Sequence, residues 1–393
     1  MNVPKGYKMT EVGVIPEDWE VKKLGDIAEM ASGGTPLTSN PNYYNGDIPW
    51  VSISDMTKGG KHIFATDKYI TQLGFNNSAC KIFPIGTVLY AMYASLGECS
   101  IAGIPLCSSQ AILGIRVKEN LDNEFLYYYL NYIKNTVKGH GQQGTQPNLN
   151  KEIVQNFQIK LPFIDEQRSI ARVLSDTDAL INALDKLIAK KRDIKKAVMQ
   201  ELLTGKTRLP GFSGEWEVKR LGDLFNITAG KDLIRDQYSE VADNSFPFPI
   251  YSNSLSNFGL YGYSSFGQNE AGCITVTARG TLGYACYRTT PFVAIGRLLI
   301  LKPKITLNGF FISELINHCI EFASESTGVP QLTSPQISKY ELSIPSPEEQ
   351  QAIAQVLSDI DSEITALEKR RDKMKALKQG MMQELLTGRI RLH

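Results

Sequence analysis

Apolar residues recur every seven positions over two long stretches of this chain. In the second stretch the repeat consists of Ile353, Ile360, Leu367, Met374 and Met381 and, one turn later, Leu357, Ile364 and Leu385. The first stretch shows the same period at Ile170, Leu184 and Val198, beside Leu174, Ile181, Ile188 and Leu202. A sustained repeat of this kind predicts two long amphipathic helices with a coiled-coil seam.

The ends of both helices are visible in the sequence. Ser346-Pro347-Glu348-Glu349 is a capping-box pattern with proline at the first helical position, and Gly205 and Gly388 mark where each helix would stop. Each helix would run about 38 residues, or about 57 Å. Because helices this long seldom stand alone, we predict that they pack together as an antiparallel intramolecular coiled coil. Such a rod would fix the distance between two half-sites if the protein binds DNA.

The long helices belong to an internal repeat. The segment that begins at Pro162 and ends near Gly205 matches the segment from Pro345 to Gly388 without gaps. The sequence around Trp19 recurs around Trp216. The region between these two landmarks is shorter in the second half, and its sequence diverges from that of the first half. Two matched flanking segments that enclose divergent central regions suggest that the protein performs one task twice, on two different targets.

The two divergent regions combine short strand-like runs, such as Thr87 to Tyr93 and Cys273 to Thr277, with helical patterns and polar, glycine-rich loops. We therefore predict an α+β protein in which two mixed α/β domains are separated by the two long helices. The predicted boundaries are 1–160 for the first variable domain, 161–205 for the first helix, 206–343 for a linker and the second variable domain, and 344–393 for the second helix and tail.

Composition narrows the class of protein. The formal net charge is +1, which argues weakly against a strongly basic nucleic-acid binder but leaves room for a local basic surface. The first sixteen residues lack a long apolar core, and no stretch approaches the roughly 20 apolar residues of a membrane helix. We expect a cytoplasmic protein with no membrane contact. The six cysteines include no C-x-x-C pair, so we expect free thiols and no metal site.

Several loops mix basic, amide, hydroxyl and aromatic side chains. Arginine and amides can bond to base edges in two places, whereas lysine mainly neutralises phosphate. The candidate DNA-contacting residues are Ser32, Thr35, Tyr43, Tyr44, Lys58, Lys61, Gln142, Gln143, Thr145, Lys231, Arg235, Asn253, Tyr261, Tyr263, Arg279 and Thr281. The competing interpretation is that these residues belong to ordinary structural turns.

Basic residues also fall on or beside the helix seam. They are Lys191, Lys195, Arg370, Arg371 and Lys378. They would either form a solvated face, with their stems covering apolar surface, or face a partner helix, which makes them candidates for docking another subunit.

Three patterns resemble catalytic motifs but lack their context. The G-x-G-x-x-G run at 139–144 follows a helix instead of a strand, so a nucleotide site is not expected. Asn40-Pro-Asn-Tyr43 lacks the second proline of the adenine methyltransferase motif, and Glu20-Val-Lys22 lacks the preceding Pro-Asp of a nuclease site. Without a phosphate-binding lysine loop or a catalytic triad pattern, we predict that this chain is not an enzyme.

Several segments together resemble a known family. The sequence 9–20, Ser32-Gly-Gly-Thr-Pro36, Asp47-Ile-Pro-Trp50 and the paired Glu-Gln…Met-Gln-Glu-Leu-Leu-Thr-Gly helices are similar to the specificity subunits of type I restriction-modification systems. The resemblance covers essentially the whole chain, and the repeated helices are its most specific part. The second variable domain lacks an equivalent of Ser32–Pro36, so loop roles are not transferred to it.

The resemblance implies a function for each part. The variable domains would be target recognition domains, each reading one half of a split sequence in double-stranded DNA. The helices would set the spacer and dock two methyltransferase subunits that use S-adenosylmethionine, and two motor-nuclease subunits would use ATP and Mg²⁺. This chain itself would hold no cofactor and no metal. The alternatives are a structural scaffold with paired helices and no DNA role, and a stand-alone nuclease or methyltransferase.

Overall fold

The structure is a computed structural model in which residues 3–139, 148–322 and 331–392 are described. It divides into two compact units. Unit 1 comprises Met1–Asp185 with Arg370–His393, and unit 2 comprises Lys186–Lys369. Among the described residues, no helix combines the length and apolar character needed to cross a membrane.

Unit 1 contains short strands and helices followed by a long helix. The strands are β1 (Tyr7–Thr10), β2 (Gly13–Pro16), β3 (Glu20–Lys23), β4 (Ala28–Ser32), β5 (Tyr44–Val51), β6 (His62–Ile63), β7 (Lys68–Ile70), β8 (Val88–Ala91), β9 (Cys99–Ala102), β10 (Cys107–Ser108), β11 (Ile112–Val117) and β12 (Gln158–Leu161). The helices are α1 (Leu24–Ile27), α2 (Ile53–Gly59), α3 (Gln72–Asn76), α4 (Asn123–Gly139), α5 (Lys151–Gln155) and the start of α6 (Ile164–Leu202).

Unit 2 begins within α6 and repeats the same kinds of elements. Its strands are β13 (Glu217–Arg220), β14 (Phe225–Ala229), β15 (Tyr238–Ser239), β16 (Phe248–Tyr251), β17 (Leu260–Ser264), β18 (Ile274–Val276), β19 (Ala285–Tyr287), β20 (Val293–Ala294), β21 (Leu299–Pro303) and β22 (Glu341–Ile344). Its helices are α7 (Leu221–Leu224), α8 (Gly309–Cys319), α9 (Ser334–Ile337) and the first part of α10 (Pro347–Leu385), whose end lies in unit 1.

The two predicted long helices are confirmed as α6 and α10. Each contains 39 residues. The capping pattern holds, since the Ser346 hydroxyl accepts a hydrogen bond from the Glu349 N–H at 3.4 Å. Just beyond the helix ends, Gly205 and Gly388 have φ values of +67° and +74°, which explains glycine at both positions. The predicted seam residues are buried or half-buried in both helices.

Within each unit the two helices run antiparallel. In unit 1, Lys378 pairs with Asp178 at 2.6 Å and Arg371 with Asp185 at 3.4 Å. In unit 2, Lys191 pairs with Glu363 and Lys195 with Asp361, both at 2.8 Å. In every case the residue number rises on one helix as it falls on the other.

The two variable regions share a core of equivalently ordered strands despite their divergent sequences, and each adds one edge strand, β6 in unit 1 and β15 in unit 2. Unit 1 has a sheet ordered β4-β11-β8-β9-β6, and unit 2 has β14-β21-β18-β19. A second sheet pairs β5 with β7 antiparallel and with β10 in parallel, and β16 makes the same pairs with β17 and β20. A two-stranded sheet, β12-β3 or β13-β22, joins the beginning and end of each variable region.

Strand registers show which strands of the two units correspond and where their lengths differ. Val88 pairs with Ile115 as Ile274 pairs with Leu301, so β8 and β11 correspond to β18 and β21. Pro49 pairs with Tyr69 as Pro249 pairs with Tyr263, so β5 and β7 correspond to β16 and β17. Between the strands β5 and β8, unit 1 inserts α2 and β6, and unit 2 has no described counterpart of them.

A glutamate near the start of each long helix binds an arginine beside a tryptophan, which is fully buried in unit 1 and half-buried in unit 2. In unit 1, Glu166 accepts hydrogen bonds from Arg391 at 2.7 and 2.8 Å and from the Trp19 indole at 3.0 Å. In unit 2, Glu349 accepts from Arg208 at 2.6 Å, while the buried Trp216 Nε1 has no partner among the described residues. Hydrogen bonds to Glu166 and Asp18 raise the pKa of Arg391.

The adjacent glutamine ties each variable region to its helix. The buried Gln167 accepts a hydrogen bond from the Asp122 N–H at 2.8 Å and donates to the Pro162 carbonyl at 2.8 Å. Gln350 makes the equivalent bonds in unit 2, accepting from the Asn308 N–H at 3.0 Å. The repeated Glu-Gln pair therefore orients each variable domain on its helix.

Candidate nucleic-acid interface

A glycine-centred turn follows the equivalent strands β4 and β14. The N–H groups of Gly33 and Gly34 donate to carbonyls at the start of β11 and in β10, at 3.1 and 2.8 Å. In unit 2 the N–H groups of Gly230 and Lys231 donate to carbonyls beside β21 and in β20, at 2.7 and 3.1 Å. The two turns have the same backbone hydrogen-bond pattern.

Unit 2 lacks the Ser-Gly-Gly-Thr-Pro sequence of 32–36, as predicted, but it has a structural counterpart of that turn. Its counterpart is 229–233, which keeps only the first glycine. A Cβ on Gly33 would lie 2.2 Å from the Ser108 carbonyl oxygen, and one on Gly230 would lie 2.6 Å from the Ala294 carbonyl oxygen. Close backbone approach requires glycine at this position in both units. In unit 1 the next residue is restricted as well, since a Cβ on Gly34 would lie 2.5 Å from the Cys80 backbone nitrogen, whereas unit 2 has Lys231 there.

Loops of unit 2 bring three exposed cations together around Gly296. The Gly296 N–H donates to the Lys231 carbonyl at 3.1 Å, and the Gly296 carbonyl accepts from Asn253 Nδ2 at 2.6 Å. The N–H of Ala278, the residue before Arg279, donates to Asn253 Oδ1 at 2.7 Å. Arg297 follows Gly296 directly. We call Lys231, Arg279 and Arg297 the basic loop cluster; none of them forms an ion pair with a carboxylate in the described parts of the chain.

The candidates Asn253 and Thr281 and the unpredicted Arg297 differ in what their side chains contact. Asn253 uses both ends of its amide to join loops, so its contribution is structural. Thr281 is exposed beside Gly280, which has a φ of +77°. Arg297 was missed as a binding residue in the sequence, where it only interrupts an apolar run. Its φ of +70° is unusual for arginine, and such strain concentrates at functional sites.

The same frame in unit 1 carries neutral side chains. The positions equivalent to Lys231, Arg279 and Arg297 are Gly34, Tyr93 and Ala111, from the strand registers. The Thr35 hydroxyl donates to the exposed Gln110 side chain. Ser32 is half-buried at the end of β4, opposite Leu113.

An exposed aliphatic residue follows the glycine turn in both units. Leu37 is 64% exposed and Ile234 is 52% exposed. The two residues follow their glycine turns at the same distance along the chain, and the carbonyl of each accepts a hydrogen bond from the N–H three residues later. Neither was predicted, because the sequence between the matched frames shows no detectable correspondence here.

The two tyrosine candidates of unit 1 have different surroundings, and Tyr44 contacts the segment that follows the glycine turn. The Tyr44 hydroxyl donates to the Pro36 carbonyl at 2.7 Å, and burial raises the pKa of Tyr44. Tyr43 is half-buried in a short 3-10 turn, and its carbonyl accepts from the Thr71 N–H. Tyr44 therefore supports the loop, while Tyr43 retains partial exposure.

The two lysine candidates of unit 1 differ in their surroundings. Lys58 is exposed at the end of α2, 3.0 Å from Asp67. Lys61 is only 15% exposed in its side chain and contacts Glu124 at 2.8 Å and Ser175 at 2.9 Å. Lys61 therefore joins the variable domain to α6, a contact that sequence spacing could not reveal.

The remaining candidates of unit 2 are mostly exposed. Tyr261 is 51% exposed, and its ring centroid lies 5.6 Å from that of Tyr238. Tyr263 is half-buried in β17, and Arg235 is exposed in a 3-10 turn. The candidates Gln142, Gln143 and Thr145 lie outside the described residues.

Comparison with known proteins bears directly on this arrangement. The family model for the type I restriction modification DNA specificity domain matches residues 16–195 and 213–376, once for each half of the chain. The chain belongs to the type I restriction-modification DNA specificity family.

Individual relatives within this family agree over nearly the full length. The chain is 26% identical to the type I restriction enzyme MjaIX specificity subunit of Methanocaldococcus jannaschii, covering 98% of this chain and 96% of that protein. It is 29% identical to the putative specificity subunit S.MpnORF507P of Mycoplasma pneumoniae, over 90% and 88% of the two chains.

Solved structures of specificity subunits share the fold. The S subunit from M. genitalium has a TM-score of 0.62 and 17% identity, with 96% of this chain and 97% of that chain covered. The HsdS subunit from Thermoanaerobacter tengcongensis has a TM-score of 0.53 and 21% identity, with coverage of 96% and 98%.

The basic residues on the long helices of this specificity-family member mostly face inward. Lys191, Lys195, Arg371 and Lys378 form ion pairs with acids of the other long helix within their own unit. The partner helix that these four cations face therefore belongs to the same chain, and a role for them in docking another subunit stays a prediction. Arg370 is exposed.

Proposed function

We propose that this chain is the DNA-sequence specificity subunit of a type I restriction-modification complex, in which each variable domain reads one half of a bipartite target. The observation behind the proposal is a duplicated frame with different loop side chains. Equivalent backbone positions carry Lys231, Arg279 and Arg297 in unit 2 but neutral residues in unit 1. Two copies of one scaffold with different surface chemistry suit two different half-sites.

The cations of unit 2 suit the two kinds of contact that DNA requires. Arg279 and Arg297 would bond to base edges, most favourably to the O6 and N7 atoms of guanine, while Lys231 would contact phosphate. Arg235, Tyr261 and Thr281 would contribute from neighbouring loops.

In unit 1, neutral side chains would make the corresponding contacts. Thr35, Gln110 and Tyr93 would read bases through hydrogen bonds and stacking, and Lys58 would contact phosphate. Ser32 and Tyr43 remain secondary candidates, and so do Gln142, Gln143 and Thr145. We withdraw Lys61, Tyr44 and Asn253 as base contacts because each is at least half-buried and is held by hydrogen bonds that join separate parts of its unit.

We also propose that the long helices set the spacer and dock two methyltransferase subunits. Exposed apolar residues on the helices support docking better than the ion-paired cations do. In unit 2, Leu187 and Ile194 are each 39% exposed and lie seven residues apart. In unit 1, Leu180 and Leu377 are also exposed. A partner helix would cover such positions.

The chemistry of the complex would belong to the partner subunits. The methyltransferases would use S-adenosylmethionine to methylate adenine, and two motor-nuclease subunits would use ATP and Mg²⁺. This chain would supply sequence recognition without catalysis, in the cytoplasm. Among the described residues, no group of three or more histidine, cysteine or acidic side chains is arranged to hold a metal.

Methylation mapping tests the proposal. The chain would be expressed with its cognate methyltransferase in a methylation-free host, and modified adenines would be mapped by single-molecule sequencing. We expect a split, asymmetric motif with a fixed spacer that disappears when this chain is omitted. A soluble complex that yields no motif would contradict the proposal and favour the scaffold alternative.

A further inference from the structure

A strained turn in unit 2 presents an aromatic side chain to solvent. Asn257 and Phe258 have φ values of +48° and +52°, and Gly259 has +84°. The left-handed region is unfavourable for a bulky residue such as phenylalanine. Phe258 is nonetheless 62% exposed, so its own burial does not offset the strain.

A buried arginine holds this turn in place. Arg288 is 6% exposed and donates to the Phe258 carbonyl at 2.8 Å and to the Thr275 hydroxyl at 2.9 Å. Its guanidinium lies 3.5 Å from the centre of the Tyr251 ring. No carboxylate among the described residues lies within ion-pair distance of it. Burying a cation with only a ring face and neutral oxygens around it is costly.

Unit 1 fills the equivalent position with an apolar core. Strand register places Leu89 and Ala102 where unit 2 has Thr275 and Arg288. Leu89 and Ala102 belong to a buried cluster with Met56 and Ile63, from the α2–β6 segment that unit 2 lacks. The fold therefore does not require arginine at this position, and in unit 2 Arg288 fixes the conformation of the shorter connection.

The strained turn adjoins the basic loop cluster. The Ser252 N–H donates to the Gly259 carbonyl at 2.8 Å, and the next residue, Asn253, joins the loops that carry Arg279 and Arg297. We propose that Phe258 stacks on or wedges between bases of the half-site read by unit 2, and that Arg288 is the positioning residue that holds it there. This inference rests on the proposed function.

The chemistry of the turn suits this role. An exposed aromatic ring can stack on a DNA base whatever the identity of that base. An apolar side chain inserted between two base pairs unstacks them, which favours DNA sequences that deform easily. A side chain fixed in advance by Arg288 avoids the ordering cost of a mobile loop. Leu255, in the same connection, is also exposed at 48% and extends the apolar surface beside Phe258.

Motif mapping with Phe258 variants tests the stacking role. The full complex would be expressed with Phe258→Ala, with Phe258→Trp, and with Val218→Ala as a control that removes an exposed apolar group from β13 of the same unit. We expect Phe258→Ala to relax one or two positions of one half-site and to lower site occupancy about tenfold. The other half-site should be unchanged, and Phe258→Trp and Val218→Ala should keep the full motif.

The outcomes separate this inference from the proposed function. If the unaltered chain yields no motif, the proposed function fails and this inference fails with it. If the unaltered chain yields a bipartite motif and Phe258→Ala leaves both halves intact, the stacking role alone is overturned.

Arg288→Lys tests the positioning role, because it keeps the charge but loses the planar fork. We expect Arg288→Lys to weaken base preference at the same motif positions as Phe258→Ala. The double variant that carries both substitutions should lose no further base preference. A loss of thermal stability with an unchanged motif would reduce Arg288 to a structural residue.

Discussion

Units 1 and 2 share a core of equivalent strands, with β4-β11-β8-β9 matching β14-β21-β18-β19, and the same glycine turn, but their loops differ in charge. At three equivalent positions unit 2 has Lys231, Arg279 and Arg297, where unit 1 has Gly34, Tyr93 and Ala111. The backbone of the frame is held by strand ladders and by buried contacts that do not depend on loop identity. Loop side chains can therefore change without altering the fold, which is what a reader of variable sequences requires.

The two units also differ in how they solve one packing problem. Unit 1 covers the strand pair β8–β9 with an apolar cluster from α2 and β6, including Met56 and Ile63. Unit 2, which is shorter at this point, has the buried Arg288 instead. The connection between β16 and β18 in unit 2 therefore buries less apolar surface than its counterpart in unit 1, and hydrogen bonds from Arg288 fix its conformation.

The largest effect is expected at the arginine–glutamate contacts. Arg208→Met would leave the buried Glu349 without its ion-pair partner. Arg391→Met would also remove the ion-pair partner of Glu166, but Glu166 would keep its hydrogen bond from the Trp19 indole. Breaking a buried pair from one side is strongly destabilising, so we expect Arg208→Met to lower the unfolding midpoint by on the order of 5 °C. Arg391→Met should lower it less. Differential scanning calorimetry measures both, and equal losses would contradict the distinction.

A second comparison tests whether the two glycine turns are equivalent. Gly33→Ala and Gly230→Ala each place a Cβ within 2.6 Å of a backbone carbonyl, so each should cost about 1–3 kcal/mol in unfolding free energy. Gly380→Ala is the control without a clash, since an added Cβ there contacts nothing within 4 Å, and because Gly380 lies inside α10 it should stabilise the protein by about 0.5–1 kcal/mol. Urea unfolding would show the losses. A variant of one turn that is as stable as the unaltered chain would disprove the equivalence.

The smallest effect is expected from the exposed aliphatic pair. Leu37→Ala and Ile234→Ala should leave stability within about 0.5 kcal/mol. If each side chain contacts a thymine methyl group, each variant should weaken binding of the assembled complex by about 1 kcal/mol. Fluorescence anisotropy on the mapped target measures this loss. Val218→Ala, with a similar exposure change on unit 2, should bind like the unaltered chain.

Local patterns made the long helices predictable. The heptad repeat, the capping box at Ser346 and the glycines at 205 and 388 are decided by nearby sequence, and α6 and α10 have the predicted extent. The strand-like runs at Cys273–Thr277 and Thr87–Tyr93 likewise correspond to β18 and β8. Domain boundaries and candidate loops remain predictions.

Tertiary contacts explain what sequence reasoning missed. Lys61 and Asn253 resemble surface-binding residues, but their partners lie far along the chain, at Glu124 and Gly296. For the helix cations, a solvated face and a partner helix both stayed open, because the register between α6 and α10 was unknown. The equivalence of Gly33 and Gly230 became visible only through strand registers, since the spacing between corresponding residues of the two halves changes several times along the chain.

The central claim is that each unit reads its own half-site with its own loop side chains. The most direct test is the methylation motif of a complex carrying Lys231→Gln, Arg279→Gln and Arg297→Gln together. Our account predicts that one half of the motif becomes degenerate while the other half and the spacer stay unchanged. A motif that is unaltered, or that degrades equally in both halves, would contradict it.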